Sequence, residues 1–172
     1  MDLELTLEQQ ELVERATSAG NEYRKLANKW DEDNEAPFAE VTARMGELGL
    51  LGLLMPKEYG GSDLTALDYA LVVEALMRSS TIWICAEPTF LASGPGAMMC
   101  MMSPNAAVRE KYLPNIVSGT DGVAISISEP NFGSDMTSLE TTAVLDGDQY
   151  VINGEKKWIT GAIVNSLYAT LH

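Results

Sequence analysis

The sequence is poor in the groups that carry strong chemistry on their own. Among 172 residues it has 1 histidine and 2 cysteines, too few for a zinc site of the usual spacing or a disulfide framework. Cys85 and Cys100 are therefore expected as reduced, buried thiols, and no metal site is assigned. Cations are scarce as well: 11 Lys and Arg stand against 25 Asp and Glu, a formal net charge of −14. Without a basic block the chain lacks the electrostatic footprint of nucleic-acid or anionic-membrane binding, so any anionic ligand must be held locally. No apolar run approaches the ~18 residues of a membrane span; the nearest, Phe90 to Met102, is interrupted by Gly94-Pro95-Gly96. The start, Met1-Asp2-Leu3-Glu4, is acidic where a secretory leader needs basic residues, which makes the cytoplasm the expected compartment. With 46% apolar residues, the chain is nevertheless too hydrophobic for disorder and long enough to bury a core.

Up to about residue 120 the apolar residues recur at helical spacing. Leu12, Ala16, Ala19, Tyr23, Leu26 and Trp30 form one stripe, predicting a single long amphipathic helix, and Thr6 with Gln9 supplies a capping box at its start. A second helix is expected from Pro37 through Val41, Met45 and Leu48 to a stop at Gly49. The stretch Leu64 to Met77 is apolar on almost every side and should sit centrally, with Glu74 and Arg78 pairing on its surface. After Phe90 to Met102, Ser103-Pro104 reads as the cap and first turn of a helix carrying Val108, Tyr112 and Ile116 and ending at Gly119. Met98, Met99, Met101 and Met102 read as adaptable core packing, and Asp31 to Glu35 as a solvated helix end.

Beyond Gly119 the period changes to two. Val123, Ile125 and Ile127 alternate with Ala124, Ser126 and Ser128, as in a strand with one apolar and one small or hydroxylic face. Asp146-Gly147 and Asn153-Gly154 suit type I′ turns, predicting two consecutive hairpins, with a last strand near Ser166 to Leu171. The expected fold class is α+β: an all-α helical domain over residues 1–120, then an incomplete antiparallel β-domain over residues 121–172.

Two stretches carry a resemblance. Ser128-Glu129-Pro130-Asn131-Phe132-Gly133-Ser134-Asp135 is followed by Asn153-Gly154-Glu155-Lys156-Lys157-Trp158-Ile159-Thr160. In this order, with Gly46-Glu47-Leu48-Gly49, Pro56-Lys57-Glu58-Tyr59-Gly60-Gly61 and Lys111-Tyr112-Leu113-Pro114 upstream, the chain resembles the N-terminal half of the acyl-CoA dehydrogenase family over its whole length. Gly133 permits close backbone approach and Ser134 offers a hydroxyl, which suits a pyrophosphate in a chain without a basic patch. The resemblance implies that Gly133 and Ser134 serve the FAD pyrophosphate, with Ser134 also near the acyl-CoA. It implies that Ile125, Ile127 and Ser128 run along the flavin edge, that Trp158 and Ile159 pack beside the ring, and that Thr160 donates to flavin N5. Trp158 and Thr160 are expected on one face of one strand. Three positions depart from the family pattern: Ser128 stands for threonine, Ile125 for an aromatic, and Gly161 for the asparagine after Trp-Ile-Thr.

The resemblance further implies an oxidoreductase that acts on an acyl-CoA thioester, with hydride passing to FAD and electrons to an electron-transfer flavoprotein or similar acceptor. Homo-oligomerisation, or a complex with a missing C-terminal half, is part of the same expectation. The family's glutamate base and C-terminal helical bundle are expected beyond residue 172, so no catalytic base is assigned within the chain, and the chain alone is expected to be inactive. The alternatives are a subunit completed by a separate partner, a non-catalytic truncated homologue, and an enoyl-CoA reductase or acyl-CoA oxidase of the same fold.

Overall fold

The computed structural model describes residues 4–33 and 35–171. The single histidine, His172, lies outside them. The first stripe makes two helices instead of one: α1 (Leu7–Tyr23) and α2 (Ala27–Asp33). The intervening turn leaves Leu26 exposed and brings Trp30 back against Tyr23, with ring centroids 5.6 Å apart. The capping box forms as expected, with the Gln9 amide N–H donating to Thr6 Oγ1 and the Thr6 N–H donating to Gln9 Oε1. Gln9 does more. Its Nε2 donates to Asp68 Oδ1 (2.9 Å), and Asp68 is itself the acidic member of an unforeseen capping box with Thr65 that starts α4 (Ala66–Ser80). The starts of α1 and α4 are thus tied together, and Asp68 is held below the ordinary carboxylate range by Thr65 first and Gln9 second.

Helix α3 spans Phe38–Glu47 and α7 spans Ala106–Ser118, with Gly119 in a left-handed C-cap. The cap of α7 is Asn105, whose side chain accepts from the Ala107 N–H, and not Ser103. Between α4 and α7, Gly94 divides the apolar segment into α5 (Glu87–Ser93) and α6 (Pro95–Met101). The core gathers Val41, Met45, Leu50, Leu53, Met55, Val72, Leu76, Ile84, Leu113 and Ile116. Cys85 and Cys100 are buried free thiols; burial pushes the Cys85 thiol up to about 11, which makes it a poor nucleophile. The methionines divide by surroundings. Met101 packs against the core and Met99 is half-buried, but Met98 and Met102 are exposed, correcting the expectation of a buried run.

The strand after Gly119 is β1 (Val123–Ser126), and it is covered on both faces: Val123, Ala124 and Ser126 are all buried. Its apolar face lies against the helical core, with Val123 next to Gly96 of α6 and Ile125 packed on the same cluster. It pairs in parallel with β4 (Leu167–Thr170), whereas β2 (Thr142–Asp146) and β3 (Gln149–Asn153) form the antiparallel hairpin foreseen at Asp146-Gly147. The architecture is a helical layer followed by a small, partial sheet region of mixed pairing. Among the described residues no helix is long and apolar enough to cross a membrane.

Candidate functional site

The chain leaves β1 at Ser126 and enters an irregular loop that returns at Thr141. A buried knot closes this loop. The Glu129 carboxylate accepts from the backbone N–H of Glu140 (2.7 Å) and of Thr141 (2.9 Å) and from Lys156 Nζ (2.8 Å). Lys156 also donates to the Ile127 carbonyl (2.9 Å), and the Lys157 N–H to the Ser128 carbonyl (2.8 Å). The two charged side chains are 4% and 11% exposed, so water does little to weaken the pair. The Lys156 bond, followed by Thr141 and the Glu140 amide, holds the Glu129 carboxyl down to about 2.

This knot explains why the second predicted hairpin is absent. After Asn153-Gly154 the chain turns toward β1 so that Lys156 can reach Ile127 and Glu129, and residues 154–160 form no strand. Trp158 has a left-handed φ of +63° and Thr160 opens a turn, so the expected placement of both on one strand face is corrected. The knot brings them to the cleft by another route. Ile125, Ile127 and Ser128 from the β1 side meet Trp158, Ile159 and Thr160 along one wall of a cleft of ≈ 370 Å³. The opposite wall is Glu87, Phe90 and Leu91 of α5 with Pro95 and Met99 of α6. Of that wall, the resemblance pointed only to the methionine run, one or two of which were expected at the family's acyl pocket, and Met99 is the one that lines the cleft. Glu87, Phe90, Leu91 and Pro95 were not assigned, and the usable signal was a lone acid at the head of an otherwise apolar helix.

Gly133 and Ser134 do not line the cleft; both are exposed on the loop that Glu129 closes. Asp135 shapes the following turn by accepting from Ser138 Oγ (2.6 Å) and Thr137 Oγ1 (2.7 Å), and these bonds lower its carboxyl below the usual range. A Cβ placed on Gly133 would meet nothing within 4 Å, so the loop surface is open to a ligand. Among the described residues the Ser128, Ser134 and Thr160 hydroxyls make no hydrogen bond, and the Trp158 ring is 88% exposed. Unpartnered hydroxyls, an uncovered indole and an apolar wall suit a planar ligand with polar edges.

The departure at Gly161 has a structural partner. Gly161 has φ +74°, and a Cβ on it would come within 2.3 Å of Asn165 Nδ2; Asn165 is buried. Asn165 therefore occupies the space a side chain at 161 would need. Gly161→Asn is expected to lower stability by ~1–3 kcal/mol through overpacking, and Asn165→Ala in the same chain to restore part of it. A urea double-mutant cycle with zero coupling would separate the two positions.

Compared with known proteins, residues 6–120 match the acyl-CoA dehydrogenase N-terminal domain and residues 124–171 its middle domain. A probable acyl-CoA dehydrogenase of Bacillus subtilis strain 168 is 38% identical over 165 residues, covering 94% of this chain and 42% of the relative. A short-chain-specific acyl-CoA dehydrogenase of Clostridium acetobutylicum is 35% identical, over 93% of this chain and 42% of its own length. Butyryl-CoA dehydrogenase from Megasphaera elsdenii superposes with a TM-score of 0.85 at 28% identity, over 98% of this chain and 44% of that one. The chain thus spans less than half the length of these relatives.

Proposed function

Because the chain belongs to the acyl-CoA dehydrogenase family, we propose that it forms the FAD- and thioester-facing half of a flavin-dependent acyl-CoA dehydrogenase. One observation carries this reading: the Glu129–Lys156 knot gathers Ser128, Trp158 and Thr160 around one open cleft with their polar groups unengaged. The residues present fit FAD. Ile125 and Ile127 supply an apolar edge, the Ser128 and Thr160 hydroxyls supply donors for the polar rim of the ring, and Trp158 supplies an aromatic cover. Gly133 and Ser134, on the open loop, would take the pyrophosphate through backbone N–H and hydroxyl donors, since the net charge of −14 offers no diffuse attraction.

Bound FAD supplies the two-electron acceptor for oxidation of the acyl Cα–Cβ bond. What the chain's own residues do is bind, orient and exclude water. Thr160 would place an O–H donor at the cleft wall, an oxyanion-hole type of contribution. The helices α5 and α6 form a wall, apolar except for Glu87, against which the acyl group would lie, with Ser134 near the thioester end. No base for the α-proton is assigned among residues 1–172, so these residues alone are expected to hold FAD weakly and to show no turnover. An electron-transfer flavoprotein or similar acceptor would take the electrons, and the assembly would be a homo-oligomer or a complex with the C-terminal half.

Flavin titration of the native protein tests the reading. Thr160→Val and Ser128→Ala should each weaken FAD binding by roughly tenfold, the loss of one useful hydrogen bond, with Trp158 emission quenched as flavin binds. Unchanged flavin affinity in both variants would count against this assignment of the cleft.

A further inference from the structure

The wall opposite the proposed flavin edge contains one group that neither the fold nor the FAD reading uses. Glu87 stands at the first position of α5, half-buried, and lines the cleft together with Phe90, Leu91, Pro95 and Met99. Among the described residues its carboxylate forms no ion pair and accepts no hydrogen bond. No other residue lining the cleft is ionisable at ordinary pH. The other titratable group that faces it is Tyr69 of α4, whose hydroxyl is engaged with the Phe90 carbonyl (3.4 Å). Burial alone pushes the Glu87 carboxyl above its ordinary range, and its charge in turn helps to raise the Tyr69 hydroxyl.

A carboxylate in this position is poorly suited to a plain alkyl chain. Filling the cleft with hydrocarbon would strip the remaining water from Glu87 and put nothing in its place, so the group would either remain charged at a large desolvation cost or take up a proton. A ligand atom carrying an O–H or N–H donor removes that penalty by bonding the carboxylate. We propose that Glu87 is a specificity-determining residue, selecting acyl-CoA thioesters whose acyl group carries a hydrogen-bond donor, such as a hydroxyl, over plain alkyl thioesters. The inference rests on the reading of the cleft as the thioester site. It needs no covalent step, since Glu87 acts by contact with the bound acyl group.

The test is equilibrium binding to the native protein loaded with FAD, by calorimetry in buffers of different ionisation enthalpy so that proton uptake is read with affinity. Butyryl-, valeryl- and hexanoyl-CoA are compared with their ω-hydroxy counterparts, on wild type, Glu87→Gln and Glu87→Leu. Wild type should favour at least one hydroxyacyl thioester by about tenfold or more, and Glu87→Leu should reverse the preference. Binding of the plain thioesters to wild type should take up a proton and tighten as pH falls; in both variants the uptake should vanish. Equal discrimination and equal proton uptake in wild type and variants would overturn the role of Glu87 while leaving the thioester site intact. Failure of wild type to bind any thioester would overturn the reading of the cleft and the inference with it.

Discussion

Glu129→Ala is expected to loosen the whole cleft wall and not one contact, lowering the melting midpoint by roughly 5–10 °C at neutral pH. The substitution removes the acceptor of two backbone N–H groups, those of Glu140 and Thr141, and leaves the ammonium of Lys156 with the Ile127 carbonyl alone. Buried donors without partners are costly, and here two of them close the C-terminal end of the loop bearing Gly133 and Ser134. The Glu140 and Thr141 amides should exchange with solvent faster, and flavin binding should weaken although Glu129 does not line the cleft. Glu129→Gln, which keeps the shape but not the charge, should fall between. The effect has a defined pH dependence. The Glu129 carboxyl is depressed from 4.5 to about 2 by folding, so its contribution is complete above about pH 4.5 and is lost as pH falls toward 2. The stability gap between wild type and Glu129→Ala should therefore close on acidification. A gap that stays constant between neutral pH and pH 2 would show that the charge is not what holds the loop.

Gly46→Ala should be the more damaging change within the helical layer. A Cβ on Gly46 would sit 2.0 Å from the Ser118 carbonyl oxygen and 2.6 Å from its carbon. Both obstacles are backbone, so no side chain can swing aside, and α3 and α7 must separate. Overpacking of this kind costs ~3 kcal/mol, and a urea melt should show it as a lower midpoint with an unchanged slope. The strain should reach the cleft too. Gly119 follows directly, in a left-handed conformation packed against Thr42 of α3, and it launches the chain into β1. Wild-type stability in Gly46→Ala would refute the close approach of α3 and α7.

What could be read from the residues, and what could not, follows from the range of the interactions. Thr6-Gln9 and Gly119 act within a few residues, and each formed as expected. The hairpin at Asp146-Gly147 formed too, but its loop is Gly147-Asp148 with a positive φ at Gly147 alone, which is not the expected type I′ turn. The single helix through Trp30 breaks at a turn in which the Leu26 N–H donates to the Tyr23 carbonyl, and the turn brings the Trp30 and Tyr23 rings together, which the apolar stripe alone does not encode. The hairpin after Asn153 failed because Lys156 is drawn to Glu129, 27 positions away, an attraction that turn chemistry does not contain. In the site, Ile125, Ile127, Ser128, Trp158, Ile159 and Thr160 were named from motifs and do share a cleft. Apart from Met99, the α5 and α6 wall was not assigned, because a cleft between a helix and a loop leaves no periodic mark on either.

The β2–β3 hairpin is exposed along nearly all its length, including Val144, Leu145, Tyr150, Val151 and Ile152. In colloidal terms such a ribbon is an adhesive tab, with free edges and apolar faces able to recruit a like strand from another molecule. The opposing force is the net charge of −14, whose reach is set by the ionic atmosphere, so the balance between dispersion and self-association shifts toward association as salt shortens that reach.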